Sequence, residues 1–443
     1  MSFKKFAFSA TALAALTMVG GVSAQTNEQL REALAQAQAA ATQAQAAAKQ
    51  AQDALAQVQG MMAKQAAAAP APAASQASSS PGGFTLTSGQ NSVTLYGLID
   101  VSYVNRNNAN AAQQSYSGPR VAWFSGNRIG VTGQRAIGGA DNMKAIFKLE
   151  SEFESQTGNQ DTPGVLFNRD AWLGLQSDSL GKLTLGRQNA LARDPAASGI
   201  YGDPYGGSKA GLDEGGYTNK NNFKQLVFYA GSATGTRYDN GVVWKKEFGN
   251  VVAGLGYQFG GVTGAFNRGS TKTGSLAYNG DGYTVSGFVN SANINELTHT
   301  SYSIGGNAQV APMVRLYGGY FGYNAKQAAA IGDRKDSAYT LAAKFSPNPT
   351  YDFHLGFNTI RAQNAGVNGS GYVANAFTDA SGLKASGTGN RNAFYASAFY
   401  NLDSSTSLYV AGDRLKTTGT YLDSAAVGAK SQNQVALGLR FKF

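Results

Sequence analysis

Residues 92–103 read SVTLYGLIDVSY. Odd positions Val93, Leu95, Gly97, Ile99, Val101 and Tyr103 are apolar and end in an aromatic. Even positions include Ser92, Thr94, Asp100 and Ser102. Successive side chains of a strand point to opposite faces, so one face is apolar and the other largely polar. The chain's last strand repeats the pattern: Val435, Leu437, Leu439, Phe441 and Phe443 alternate with Gln434, Arg440 and Lys442. In a soluble sandwich the apolar face would meet a second sheet. In a closed transmembrane barrel it meets lipid, with aromatics at the two interfaces.

Counting outward from this stretch separates the two. Alternating segments lie near 92–104, 121–134, 142–154, 165–176, 181–188, 236–246, 251–261 and 272–278. They continue at 283–292, 301–310, 314–323, 337–345, 351–360, 392–400, 407–415 and 432–443. That predicts sixteen strands, an even number as single-chain bacterial barrels require. Short connections such as EFGN (247–250), NGDG (279–282), APM (311–313), SPNPT (346–350) and NLDSST (401–406) alternate with long ones at 262–271, 324–336, 361–391 and 416–431. Short turns on one rim and long loops on the other fit a barrel; a sandwich has no reason for the asymmetry. Backbone groups in lipid must all be paired, which only a closed sheet achieves. The expected fold is an all-β, 16-stranded antiparallel barrel over 92–443.

Composition agrees. Charged residues are 14% of the chain, against roughly 25% in soluble domains. There are 56 glycines, and aromatics reach 11%, a bias toward strands with an apolar outer face. Mean hydropathy is −0.25 and no apolar run of about 18 residues follows the N-terminus, which disfavours a helical membrane protein. The absence of Cys is compatible with an oxidising compartment.

Ahead of the barrel the pattern changes three times. Residues 1–24 read as a secretory signal, with a retained membrane anchor as the alternative: Lys4 and Lys5, an apolar stretch from Phe6 to Val19, and Val22-Ser23-Ala24 as the expected cleavage site. Removing it takes two lysines and no acid, so the formal charge falls from +10 to +8. Within 25–65, Leu30, Leu34, Ala37, Ala41, Ala44, Ala48, Ala51, Leu55, Val58 and Met62 step by fours and threes. That 3.5-residue seam predicts an α-helical coiled coil. Its alanines bury little, at about 0.8 kcal/mol per CH₂, so it needs partners tethered nearby. A single Ala-rich helix is the alternative. Residues 66–91 open as a Pro/Ala/Ser tract that reads as a semi-extended linker.

One interval breaks the alternation. Between LTLGRQ (183–188) and RYDNGVVW (237–244) it lapses for roughly fifty residues, far beyond the ~15 of ordinary loops. The interval carries Arg193, Lys209 and Lys220 against Asp194, Asp203, Asp213 and Glu214, among Gly, Pro and Tyr. It is expected to fold into the bore.

Several strings resemble the trimeric sixteen-stranded general-diffusion porins of Gram-negative outer membranes: SVTLYGLID, GNRIGVTG, KAIFKLES, FNRDAWLGLQSDSLGKLTLGRQ, RYDNGVVW and an aromatic strand ending in Phe443. The resemblance covers 92–443; the coiled coil is atypical for the family. It implies a homotrimer in outer-membrane lipid, with the coil in the periplasm. It also implies a basic ladder on the barrel wall facing acids of the inward loop. The matching positions are Arg128, Arg169, Arg187 and Arg237 on the wall, with Asp203, Asp213 and Glu214 on the loop. Parity supports Arg128, because Ile129 and Val131 face out. With Tyr238, Val242 and Trp244 taken as outward, Arg237 and Asp239 face in. Arg169 faces in if Trp172 faces lipid, and Arg187 follows a glycine that lets the chain turn inward. A charge facing lipid at mid-depth costs about 2–4 kcal/mol, so bore or rim are the realistic places. Net positive charge makes small anions the expected solutes.

An enzyme is not expected. Only His299 and His354 exist, neither beside a nucleophile motif, and there is no P-loop, G-x-S-x-G or metal-ligand spacing. No cofactor, metal or nucleic acid is expected. The alternatives are a substrate-selective channel for small carboxylates, or a structural tether whose coil reaches the cell wall. A helix of about 35 residues would span about 50 Å.

Overall fold

The computed structural model describes residues 76–193 and 230–443 apart from short gaps, of which 368–384 and 422–428 are the longest, and a few positions between 35 and 57. The chain divides into two units, 1–72 and 73–443. In the first, Ala35, Gln38, Thr42, Ala46, Lys49, Asp53, Ala56 and Gln57 are helical and exposed. The seam residues Leu30 to Met62 lie outside the described residues.

The second unit is one antiparallel sheet. Its strands are β1 (Gln76–Ser80), β2 (Gly83–Ser88), β3 (Asn91–Arg106), β4 (Tyr116–Val121), β5 (Asn127–Ala136), β6 (Lys144–Phe153) and β7 (Asp170–Ser177). Next come β8 (Gly181–Asn189), β9 (Arg237–Phe248), β10 (Val251–Gln258), β11 (Thr271–Gly280), β12 (Tyr283–Ile294) and β13 (Leu297–Ala311). The last are β14 (Val314–Ala325), β15 (Arg334–Asn348), β16 (Tyr351–Val367), β17 (Ala385–Asn401), β18 (Thr406–Thr417) and β19 (Ser431–Lys442).

From β5 onward each strand pairs with the next, β3 pairs with both β4 and β5, and β19 returns to β3 with Arg440 opposite Asp100, closing the ring. Gly97 and Phe443 exchange both backbone hydrogen bonds at 2.7 and 3.1 Å, so the C-terminal residue is part of the closure. β4 and β5 share one place in the wall. Both pair with the same side of β3, β4 along Val101–Arg106 and β5 along Ser92–Leu98. Counted that way, the barrel has the sixteen strands expected.

The beginning of the barrel unit differs from expectation. The stretch read as linker contains the β1–β2 hairpin. β2 pairs with β3 from Phe84↔Leu95 to Ser88↔Asn91, beyond the end of β19. FTLT alternates like a strand, and the free edge of β3 below Phe443 gives it hydrogen-bond partners. The fourth barrel strand also starts later, at Asp170 rather than 165.

Alternation sorts the two faces as the first strand predicts. Val101, Tyr103, Leu437, Leu439 and Phe441 are exposed, whereas Asp100, Gln434 and Arg440 are buried. Outward tyrosine rings meet at tilted angles: Tyr302, Tyr320 and Tyr339 with centroids 5.8 and 5.1 Å apart, and Tyr351 with Tyr400, at adjoining strand ends, at 5.4 Å. Amphipathic rings belong at the lipid interfaces of a barrel. His354 is buried on the inward face, edge-on to Phe399 at 5.5 Å.

Candidate functional site: a charged bore wall

The inward face of β5 to β9 holds a dense charge cluster. In β6, Lys148, Glu150 and Glu152 are two apart and share one side of the strand. Arg169, just ahead of β7, is 5% exposed and its guanidinium reaches both Glu150 and Glu152. A planar fork suits such a double contact. Lys148 Nζ lies 3.2 Å from Glu150 and 3.0 Å from Asp170. The Tyr96 hydroxyl donates to Glu150 at 2.7 Å. Arg128 stands opposite Glu152 in register, and its Nε donates to the Gly126 carbonyl at 3.0 Å.

Arg237, the first residue of β9, is buried. The charges of Arg169 and Arg193 and of Asp170 and Glu152 act on its guanidinium. Its Nη1 makes a long bond of 3.4 Å to Thr236, and Nε and Nη2 find no acceptor among the described residues. Arg193 is buried at the start of the long loop, where its charge also acts on Arg128. Four arginines therefore gather with Glu150, Glu152 and Asp170 between them.

Three expectations need correction. First, Trp172 faces the bore. Its indole N–H donates to Asp170 at 3.1 Å and Lys182 sits 4.5 Å over its ring, while Leu173 and Leu175 are exposed outside. Arg169 still points inward because it precedes the first residue of β7 and escapes that strand's alternation. Second, Tyr238 is buried inward, its hydroxyl donating to Thr273 at 2.5 Å. A bulge between Gly186 and Gln188, with Asn240 at φ 53°, shifts the parity of β9 there. Third, Arg187 stands apart from the cluster. Thr184 and Gln188 share the inward side and bond each other at 2.5 Å, which leaves Arg187 on the outward one. It pairs there with Asp239 and donates from Nε to the Asn168 carbonyl at 2.8 Å.

The acidic partners expected from the loop, Asp203, Asp213 and Glu214, lie outside the described residues. Glu150, Glu152 and Asp170, which neutralise the wall arginines, were not singled out from sequence. The spacing in KLESEF carries the signal: its two glutamates fall on the face opposite Phe147 and Leu149.

The stem of the long loop docks on other strands. The Ala230 carbonyl accepts from Ser301 at 2.6 Å and from Asn290 at 3.2 Å. Ala192 and Ala230 pack with Phe288, Phe321, Tyr323, Ala338 and Ile360, all on the inward faces of β12 to β16.

A model of the Gram-negative porin family matches residues 61–420. An outer membrane porin protein of Bordetella pertussis is 35% identical over 187 residues, 38% of this chain and 43% of that protein. Outer membrane porin protein 32 of Delftia acidovorans is 32% identical over 184 residues, 38% of this chain and 44% of that protein. Each match spans less than half the relative's length. Among solved structures, the anion-selective porin from Comamonas acidovorans superposes with a TM-score of 0.59 at 20% identity, covering 80% of this chain and all of the other.

Proposed function

This chain belongs to the Gram-negative porin family, and on that premise we propose that it forms a water-filled outer-membrane channel for passive diffusion of small hydrophilic solutes, favouring anions. The observation that carries the preference is the gathering of Arg128, Arg169 and Arg237 at the bore wall, with Lys148 and with Arg193 of the loop stem, against Glu150, Glu152 and Asp170. The arginines and the lysine outnumber the acids, and a bore selects by the charge lining it. The relation to a porin described as anion-selective points the same way.

A second reading, selectivity for small carboxylates, is favoured by Arg237. A buried guanidinium with two donors that meet no acceptor among the described residues suits a carboxylate in transit. Asp203, Asp213 and Glu214 are proposed to face this wall from the loop, giving a transverse field across the bore. The channel is further proposed to be a homotrimer, with residues 25–65 as a periplasmic coiled coil of the same symmetry. The heptad spacing and the exposed helical positions from Ala35 to Ala56 support the coil. Contact of the coil with the cell wall would be a secondary, tethering role.

Reversal potentials in a KCl gradient across planar bilayers test the reading. Wild-type channels are expected to prefer chloride, and Arg128→Ala to lower that preference while raising conductance. A cation-selective wild type at neutral pH sinks the proposal.

A further inference from the structure

Residues 123–126 interrupt the second barrel strand. β4 ends at Val121 and β5 begins at Asn127, although both stay paired with β3. Between them Trp123 and Phe124 are 1% and 0% exposed. The Phe124 ring lies 4.8 Å from Phe399 and meets Tyr409 edge-on at 4.7 Å. Those two residues belong to the inward faces of β17 and β18, since their neighbours Tyr400, Leu408 and Val410 are exposed outside. Trp123 joins the same cluster with Val104, Ala411 and Ala436, again inward residues. The excursion therefore lies inside the ring, against β3 and β17 to β19.

Both ends of it are tied down. The buried Asp100 carboxylate accepts from the Phe124 N–H at 3.0 Å, the Ser125 N–H at 3.3 Å and the Tyr409 hydroxyl at 2.6 Å. The Asp100 N–H donates to Asn127 at 2.5 Å, and Arg440 Nη2 donates to the Ser125 hydroxyl at 3.0 Å. At the other end the Gly126 carbonyl accepts from Arg128. A Cβ on Gly126 would overlap the Glu152 carboxylate, so a side chain there would push that carboxylate away from beneath the turn. The same short segment is thus latched to Asp100 on one side and to the arginine cluster on the other.

A sixteen-stranded ring leaves an aqueous channel, and two aromatic rings inside it fill cross-section the strands alone would leave open. We propose that residues 123–126 are a second inward constriction element, distinct from the long loop: an aromatic wedge that narrows the bore along β17 to β19 and seats Arg128 against Glu152. Solutes are thereby confined toward the arginine wall, so the wedge sets both the size limit and the contact with charge.

This deepens the channel reading and rests on it; a wild type that forms no conducting pore would sink that reading and the wedge with it. Given a conducting wild type, Trp123→Ala/Phe124→Ala is compared by single-channel conductance, reversal potential and liposome swelling with neutral sugars of graded size. Heat-modifiable migration verifies folding. The expected result is roughly twofold higher conductance, uptake of larger sugars and weaker chloride preference, because bore radius and lining charge both change. Where the double variant does not fold, Phe124→Leu replaces it, with a smaller rise expected. Wild-type conductance and size exclusion in either folded variant overturn the proposal.

Discussion

The bore walls of β5 to β9 and of β12 to β16 are built on opposite chemistry. On the first, inward positions carry Lys148, Glu150, Glu152 and Arg128, joined by Arg169 and Arg237. On the second they carry Phe288, Phe321, Ala338 and Ile360, residues normally expected on a lipid face. The difference follows from what each wall meets. Apolar side chains are stable inside a water-filled barrel only where something covers them, and here the loop stem at Ala192 and Ala230 does so. Charged side chains are stable where they pair with each other or with water. The stem residues Ala192 and Ala230 cover the apolar wall, and on the proposed reading the charged wall is the one that faces the solute.

The comparison breaks most sharply at Arg169. Its removal leaves Glu150 and Glu152 without their shared guanidinium, a loss of about 3–5 kcal/mol for a buried pair. Arg169→Ala should lower the denaturation midpoint of the detergent-solubilised barrel in urea and weaken chloride preference together. An unchanged midpoint with normal selectivity would show that the two glutamates find other partners. On the apolar wall the effects should separate. Phe321→Leu opens space beside Phe288, 5.4 Å away, and should cost about 1–2 kcal/mol in the same titration. It should raise open-channel noise, because the loop stem packs there, and leave the reversal potential at the wild-type value. A shift in reversal potential comparable to that of Arg169→Ala would erase the distinction between the walls.

The smallest expected effect lies outside both. Asp403, in the turn between β17 and β18, accepts N–H bonds from Ser405 at 2.6 Å and Thr406 at 2.7 Å. These bonds hold its carboxyl below the usual range. A depressed folded value means the stabilisation is present above the ordinary carboxylate pKa of about 4 and is lost as pH falls through the folded value. Asp403→Asn should therefore melt slightly earlier than wild type at neutral pH and together with it in strong acid, by calorimetry. A gap that widens in acid would contradict the turn's role.

Period-two alternation was legible along most of the chain because one face meets lipid and must be apolar. That constraint acts residue by residue, so β3, β18 and β19 could be read with their facing directly. Arg128 was legible for the same reason, flanked by outward Ile129. Facing failed where local backbone geometry departs from the repeat. The extra residue in β9 opposite Gly186–Gln188 turned Tyr238 inward, and a parity count has no way to register it. Arg187 was misplaced by reading Gly186 as an inward turn, whereas β8 keeps its alternation past exposed Leu183 and Leu185. Trp172 was misread because an aromatic suits an interface as well as a bore, and only its contacts with Asp170 and Lys182 decide.

The sequence by itself determined the barrel, its sixteen strands, the long interval after β8 and the sign of the charge. These follow from composition and from contacts each residue makes with solvent or lipid, independent of distant partners. Tertiary structure alone decided which charges meet. Arg169 lies 17 positions from Glu152 and is bound to it. Asp100 is bound to Tyr409, 309 positions away, only because the ring closes between β19 and β3. Pairings of that kind depend on register and closure, which are properties of the whole sheet and leave no local mark in the chain.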